Sequence, residues 1–125
     1  MTENELSKII VDSAFKLHTT FGPGLLESVY EEALVCELEH RGVSLQRQLP
    51  VPIMYKGHTL STPLRLDLLI EKKVIVECKA LALYNTVFES QLLTYLRLTG
   101  LRLGLVINFG ETLVNKGIHR VVNRL

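Results

Sequence analysis

The 125 residues carry 14 Lys and Arg against 13 Asp and Glu, a net charge of +1, and 47% of them are hydrophobic. That is enough chain for a core without staples, and the balance excludes disordered and fibrous classes. No apolar run stays free of charge long enough to cross a bilayer, and the polar start "MTENELSK" is unlike a targeting segment, so one cytoplasmic, non-membrane domain over residues 1–125 is expected.

The net charge conceals a division. Residues 1–40 hold eight acids and two bases, whereas residues 41–125 hold five acids and twelve bases. A basic half can meet phosphate or dock against the acidic half, and charge alone favours neither. Cys36 and Cys78 form no C-x-x-C pair and read as small apolar fillers. The histidines His18, His40, His58 and His119 supply no H-E-x-x-H, so a zinc site is not expected.

Thr2 to Glu5 has the capping-box pattern, and Leu6, Ile9, Ile10, Ala14, Leu17 and Phe21 follow at helical spacing until Gly22-Pro23-Gly24. A second amphipathic helix is expected from about Leu25 to Arg41, burying Leu26, Val29, Tyr30, Ala33, Leu34 and Leu38, with Gly42 at its end. The period then shifts toward two. Leu45 to Tyr55 should be an edge strand, because Pro50 and Pro52 cannot donate to a ladder. Lys56-Gly57 suits a tight turn back through His58 to Leu60. Two further strands, Leu64–Ile70 and Val74–Ala80, flank Glu71-Lys72-Lys73. Thr86 to Glu89 is a second capping box, opening a helix that runs to Gly100. That helix has crossover length, which makes the buried strand from Leu101 parallel to its partner. The final residues form a further short element.

The hairpin "LDLLIEKKVIVECKA" places Asp67, Glu77 and Lys79 in an otherwise oily run. Alternation assigns Leu64, Leu66, Leu68 and Ile70 to one apolar face and Arg65, Asp67 and Leu69 to the other. A three-residue loop pairs Ile70 with Val74, which sets Asp67 opposite Glu77 and Arg65 opposite Lys79. Two carboxylates that close repel unless one takes a proton or a cation intervenes. Hard oxygen ligands without clustered Cys or His favour Mg²⁺ or Mn²⁺, and an adjacent lysine could then stabilise anionic oxygen. Spacing alone reads first as a solvated face of ion pairs, Asp67 with Arg65 and Glu77 with Lys79, and second as the metal site.

Asp67 followed after nine residues by Glu77-x-Lys79, behind an acidic helix and ahead of a crossover helix, resembles the PD-(D/E)XK nuclease superfamily. "GLLESVY", with Gly24, Glu27 and Tyr30, resembles the signature of the GxxExxY protein family. The likeness extends through His18, "FGPGLLESVYEEAL", "QLLTYLRLTG" and "GLVINFG". Gln91 and Tyr95 resemble the Q-x-x-x-Y motif that follows the catalytic lysine in RecB-like nucleases.

This resemblance implies an α/β, restriction-endonuclease-like fold: an αβββαβ core, a mixed central sheet flanked by helices, and an extra N-terminal helix. It implies Mg²⁺ or Mn²⁺ on Asp67 and Glu77, with the Cys78 carbonyl as a third donor, Glu27 as an additional acid from the first core helix, and Lys79 as the catalytic lysine. Gln91, Tyr95 and Arg65 would meet substrate, and Arg97 and Arg102 could hold phosphates. Without the resemblance, Glu27 reads as a surface acid beside Glu31 and Glu32. Cys78 stands where an aliphatic residue is usual, and Leu66 precedes Asp67 in place of proline. The implied activity is metal-dependent hydrolysis of DNA or RNA, with a homodimer or protein partner adding contacts. The alternative is an inactive module of the same fold that binds nucleic acid or a protein.

Overall fold

Helix α1 (Glu3–Phe21) begins at a reciprocal cap: the Glu5 amide donates to Thr2 Oγ1 at 3.1 Å and the Thr2 amide to Glu5 Oε1 at 3.2 Å. The computed structural model describes all residues 1–125. Gly22, at φ +67°, ends α1, and α2 (Glu27–His40) follows. The far end of α2 closes as a Schellman motif. Gly42, at φ +78°, donates to the Glu39 carbonyl and Val43 donates to the Leu38 carbonyl, both at 3.0 Å. Tyr30, Leu34 and Leu38 form its buried stripe. The expected burial of Leu26 and Val29 is not observed: α2 starts two residues later than the pattern suggested, and Leu26 is an extended cap residue left 74% exposed. Phe21 and Cys36 are exposed as well, so Cys36 is no core filler.

The strands are β1 (Leu45–Val51), β2 (Met54–Tyr55), β3 (His58–Thr59), β4 (Leu64–Ile70), β5 (Val74–Lys79), β6 (Leu103–Asn108) and β7 (Ile118–Val122). Five of them build one sheet in the order β1-β4-β5-β6-β7, with β1 at the expected edge. β5 and β6 are parallel, joined by helix α3 (Val87–Thr99), while the other neighbours are antiparallel. β2 and β3 form a separate two-stranded ribbon turned by Lys56 and Gly57, both at positive φ. The short final element is β7, which extends the sheet beyond β6. The expected capping box at Thr86 does not form; instead Asn85 Oδ1 accepts from the Val87 amide at 2.9 Å.

Helices α1 and α2 cover one face of the sheet over Leu68, Ile70, Val74, Val76 and Cys78. Helix α3 covers the other, packing Leu92 and Leu96 over Leu66, Leu69, Ile75 and Val106. Leu66 and Leu68 therefore lie on opposite faces, which corrects the expectation of a single apolar face from Leu64 to Ile70. The same exchange occurs in β1, where Leu45 packs with the α1 and α2 side and Leu49 with the α3 side. Strict alternation would keep each of these pairs together. Both exchanges occur at the one position the β1–β4 ladder skips, between Arg47–Leu68 and Leu49–Leu66, and Gln48 takes φ +51° there. A left-handed backbone at a non-glycine residue costs about 1–2 kcal/mol. It turns the strand over, and it does so at the carboxylate of interest.

Candidate active site

The β4–β5 ladder runs from Ile70–Val74 through Leu69–Ile75 to Leu68–Val76 and stops there. At the next rung, side chains take over from backbone. The Asp67 amide donates to Glu77 Oε2 at 2.8 Å, and the Cys78 amide donates to Asp67 Oδ2 at 2.9 Å. The two strands splay, and the two carboxylates bridge the gap from opposite sides. Arg65, beyond the split, does not pair with Lys79. It is exposed, with its guanidinium 3.3 Å from the Gln48 carbonyl. The ion-pair face is absent too, because neither Asp67–Arg65 nor Glu77–Lys79 approaches within salt-bridge distance.

Burial and proximity give these acids unusual proton affinity. Glu77 is 6% exposed. Desolvation first, and the Asp67 charge second, push its carboxyl up to about 8, against the pull of the Asp67 amide and Lys79. Asp67 is also raised, chiefly by burial, while the Cys78 amide draws it back. Each acid uses one oxygen on a backbone amide. Asp67 Oδ1 keeps only a long contact of 3.4 Å from Gln48 Nε2, and Glu77 Oε1 accepts no hydrogen bond. One free oxygen and one weakly engaged oxygen, both hard and on neighbouring acids, suit a divalent cation such as Mg²⁺ or Mn²⁺. No group of three or more His, Cys, Asp or Glu side chains stands arranged as a ready-made cage.

Glu27 opens α2 at the shallow edge of this site, solvent-exposed and without a hydrogen bond. Its carboxyl is raised mainly by partial desolvation; Lys79 opposes this, and Asp67 and Glu31 add to it. Tyr30 fixes the loop that delivers Glu27. Its hydroxyl donates to the Gly22 carbonyl and accepts from the Leu25 amide at 3.1 Å, and its ring stacks on Phe109 at 4.7 Å. In the stretch from Gly24 to Tyr30, the tyrosine is thus the anchor and the glutamate the group presented.

Lys79 is half-buried and has no carboxylate partner; its Nζ lies 4.4 Å from the centroid of the Phe88 ring at the start of α3. Its backbone is held firmly. The Phe109 amide donates to the Lys79 carbonyl at 2.8 Å. Fully buried Asn108 accepts from the Leu81 and Gly110 amides at 2.8 and 3.1 Å and donates to the Leu81 carbonyl at 3.0 Å. Gly110 is required here, since a Cβ would overlap the Leu81 backbone.

Tyr95 reaches the site from α3: its phenol is raised by burial and then by the charges of Glu77 and Asp67. Gln91, one turn earlier, is exposed and makes no side-chain bond. Arg97 and Arg102 lie with the C-terminal end of α3 and the start of β6, whose first residue pairs with Val74. That is the opposite end of the sheet from Lys79, so they do not flank the carboxylates.

Sequence reasoning missed Glu31. It is 5% exposed and accepts from Arg47 Nε at 2.6 Å and from Gln48 Nε2 at 2.9 and 3.1 Å. Through Gln48 it is linked to Asp67. Its spacing of four from Glu27 puts both acids on one helical face, which was the available signal. The residue pattern of a protein family described as the PD-(D/E)XK nuclease superfamily matches residues 4–121. No curated protein and no solved structure gives a match.

Proposed function

The chain belongs to the PD-(D/E)XK nuclease superfamily, and from that premise we propose that it is a nuclease hydrolysing DNA or RNA with Mg²⁺ or Mn²⁺ held by Asp67 and Glu77. The restriction-endonuclease-like fold accords with this: α2, the β1-β4-β5 antiparallel set, α3 and parallel β6 form the core, with α1 added in front. Within the superfamily we assign it to the GxxExxY family, on Gly24, Glu27 and Tyr30.

One observation carries the reading. A buried acid, Glu77, and a half-buried one, Asp67, bridge a split β-hairpin, each with an oxygen to give, beside a lysine that no carboxylate neutralises. Asp67 and Glu77 would hold the divalent ion, which would supply positive charge to polarise a phosphodiester and acidify a water. Lys79, fixed by its backbone and resting on Phe88, meets the anionic oxygen that develops as the bond breaks. Glu27 takes a proton or orients a water at the open edge, and Tyr95 offers a phenol that stays protonated beside the acids. A non-catalytic module is the second reading, favoured by acids that already satisfy the backbone without an ion.

The test is thermal unfolding against Mn²⁺ concentration for the wild type, Asp67→Asn and Glu77→Gln. The nuclease reading expects the wild-type midpoint to rise and both variants to lose the rise. It also expects Mn²⁺-dependent oligonucleotide cleavage that Lys79→Ala abolishes. Mn²⁺ insensitivity of the wild type, with no cleavage, selects the module.

A further inference from the structure

We infer that the β2–β3 ribbon is a single-strand-binding arm, with the Tyr55 ring as a platform for an unpaired base and Lys56 as a contact to the adjacent phosphate. The inference deepens the nuclease reading and rests on it for the identity of the polymer.

The first ground is position. The last rung of β1 and β4 is Val51–Leu64. The chain between them can leave the sheet only at that end, where β5 finishes at Lys79 and β6 at Asn108. Leu64 is three residues beyond Asp67, about 10 Å along the strand. The arm therefore departs from the rim that carries the carboxylates, and not from the Glu71–Lys73 end.

The second ground is rigidity. Leu60 donates to the Ile53 carbonyl at 2.8 Å, continuing the ribbon past Met54–Thr59. Pro52 and Pro63 bracket it, each restricting φ at a point where a flexible loop would bend. Lys56 and Gly57, at φ +48° and +80°, form a tight turn rather than a mobile tip. A stiff support is what a stacking surface needs, since ordering it on binding costs little.

The third ground is chemistry. Tyr55 is 62% exposed and Met54 58%, with no part of the fold covering them. Lys56 Nζ lies 5.5 Å from the Tyr55 ring centroid, setting cation and aromatic face together. The ribbon and its connections hold no Asp or Glu; Lys56 is their one Lys or Arg, with Arg65 just beyond at the base, while Arg41 and Arg47 are already held by Glu37 and Glu31. A positive, acid-free element with an exposed ring matches a polyanion whose bases are free to stack. A second copy of the arm is disfavoured as occupant, since like charges would oppose each other. Duplex hides its base faces, so an unpaired strand is the form that fits.

The test uses the full-length protein without divalent cations, so that binding is read apart from cleavage. Anisotropy of a labelled 20-nucleotide oligothymidine is compared with that of a 20-base-pair duplex. The single strand should bind more tightly. Tyr55→Ala should weaken it about tenfold and Tyr55→Phe should restore it. Lys56→Gln should reduce the dependence of log Kd on log salt by about one. An unchanged Kd for Tyr55→Ala, tighter duplex binding, or no binding to either probe overturns the arm, as does a Tyr55→Ala effect on sedimentation instead. Mn²⁺-dependent cleavage indifferent to Tyr55 would leave the nuclease reading standing and remove this one. Tyr55-dependent binding without cleavage would do the reverse.

Discussion

The Glu77 carboxylate accepts from the Asp67 amide while the Asp67 carboxylate accepts from the Cys78 amide, so each acid closes the gap that the other helps to open. The arrangement stores electrostatic tension, and pH should reveal it. Glu77 is raised to about 8, and Asp67 is raised in the same direction. Below the ordinary glutamate range both folded and unfolded chains are protonated, and stability is full. Between roughly pH 4.5 and 8 the unfolded chain releases the proton that the folded chain keeps, so stability falls, by an amount on the order of a few kcal/mol. Urea unfolding across this window without divalent ions should show the decline, and Glu77→Gln should flatten it. Mn²⁺ should stabilise more at pH 8 than at pH 6, because it competes with a proton.

Lys79 should separate chemistry from folding. Its ammonium ties no strand and pairs with no acid. Lys79→Ala should cost about 1 kcal/mol through the lost contact with Phe88. Cleavage, by contrast, should drop roughly a hundredfold or more. Gel assays at matched folded fraction decide, and equal loss of stability and activity would make Lys79 a packing residue.

Glu31→Ala should destabilise more than any exposed acid substitution in α2. It leaves the Arg47 guanidinium and the Gln48 amide without their shared acceptor. Arg47 is partly solvated, which limits the loss to about 2 kcal/mol. Glu31→Gln should recover much of this in urea titrations. Because Gln48 also reaches Asp67, Glu31→Ala should weaken Mn²⁺ binding as well.

Asn108→Ala should cost about 3 kcal/mol, since Leu81 and Gly110 lose three bonds in a buried setting. Its particular signature is local. Amide exchange at Leu81 and Phe109 should accelerate, and cleavage should fall although no group near the phosphate has changed.

The pairing of Ile70 with Val74, the edge strand, the crossover helix and the Thr2 cap were all legible, because each follows from local period or turn chemistry. Asp67 does come next to Glu77, but not as the rung that alternation implied: the ladder ends at Leu68–Val76, and side chain to backbone bonds join the two acids. What escaped was non-local. The change of face at Gln48 depends on a left-handed residue that nothing in "RQLPV" announces. Glu31 read as a surface acid because its donors come from β1, 16 and 17 positions away. Leu26 and Val29 looked buried because helical period cannot say where a helix begins. Arg97 and Arg102 looked like phosphate contacts because charge carries no information about which end of a sheet it will reach.

The cross-strand bonds of Asp67 and Glu77 have an evolutionary corollary. If the chain is the nuclease proposed, a descendant that abandoned hydrolysis would still need both acids to fasten its hairpin, and selection for folding alone would keep them. Their persistence in a paralogue is therefore no guarantee of turnover, whereas Lys79, which fastens nothing with its side chain, is free to drift once turnover is dispensable. On the proposed function, the lysine, more than the acids, would mark which of such proteins still cut.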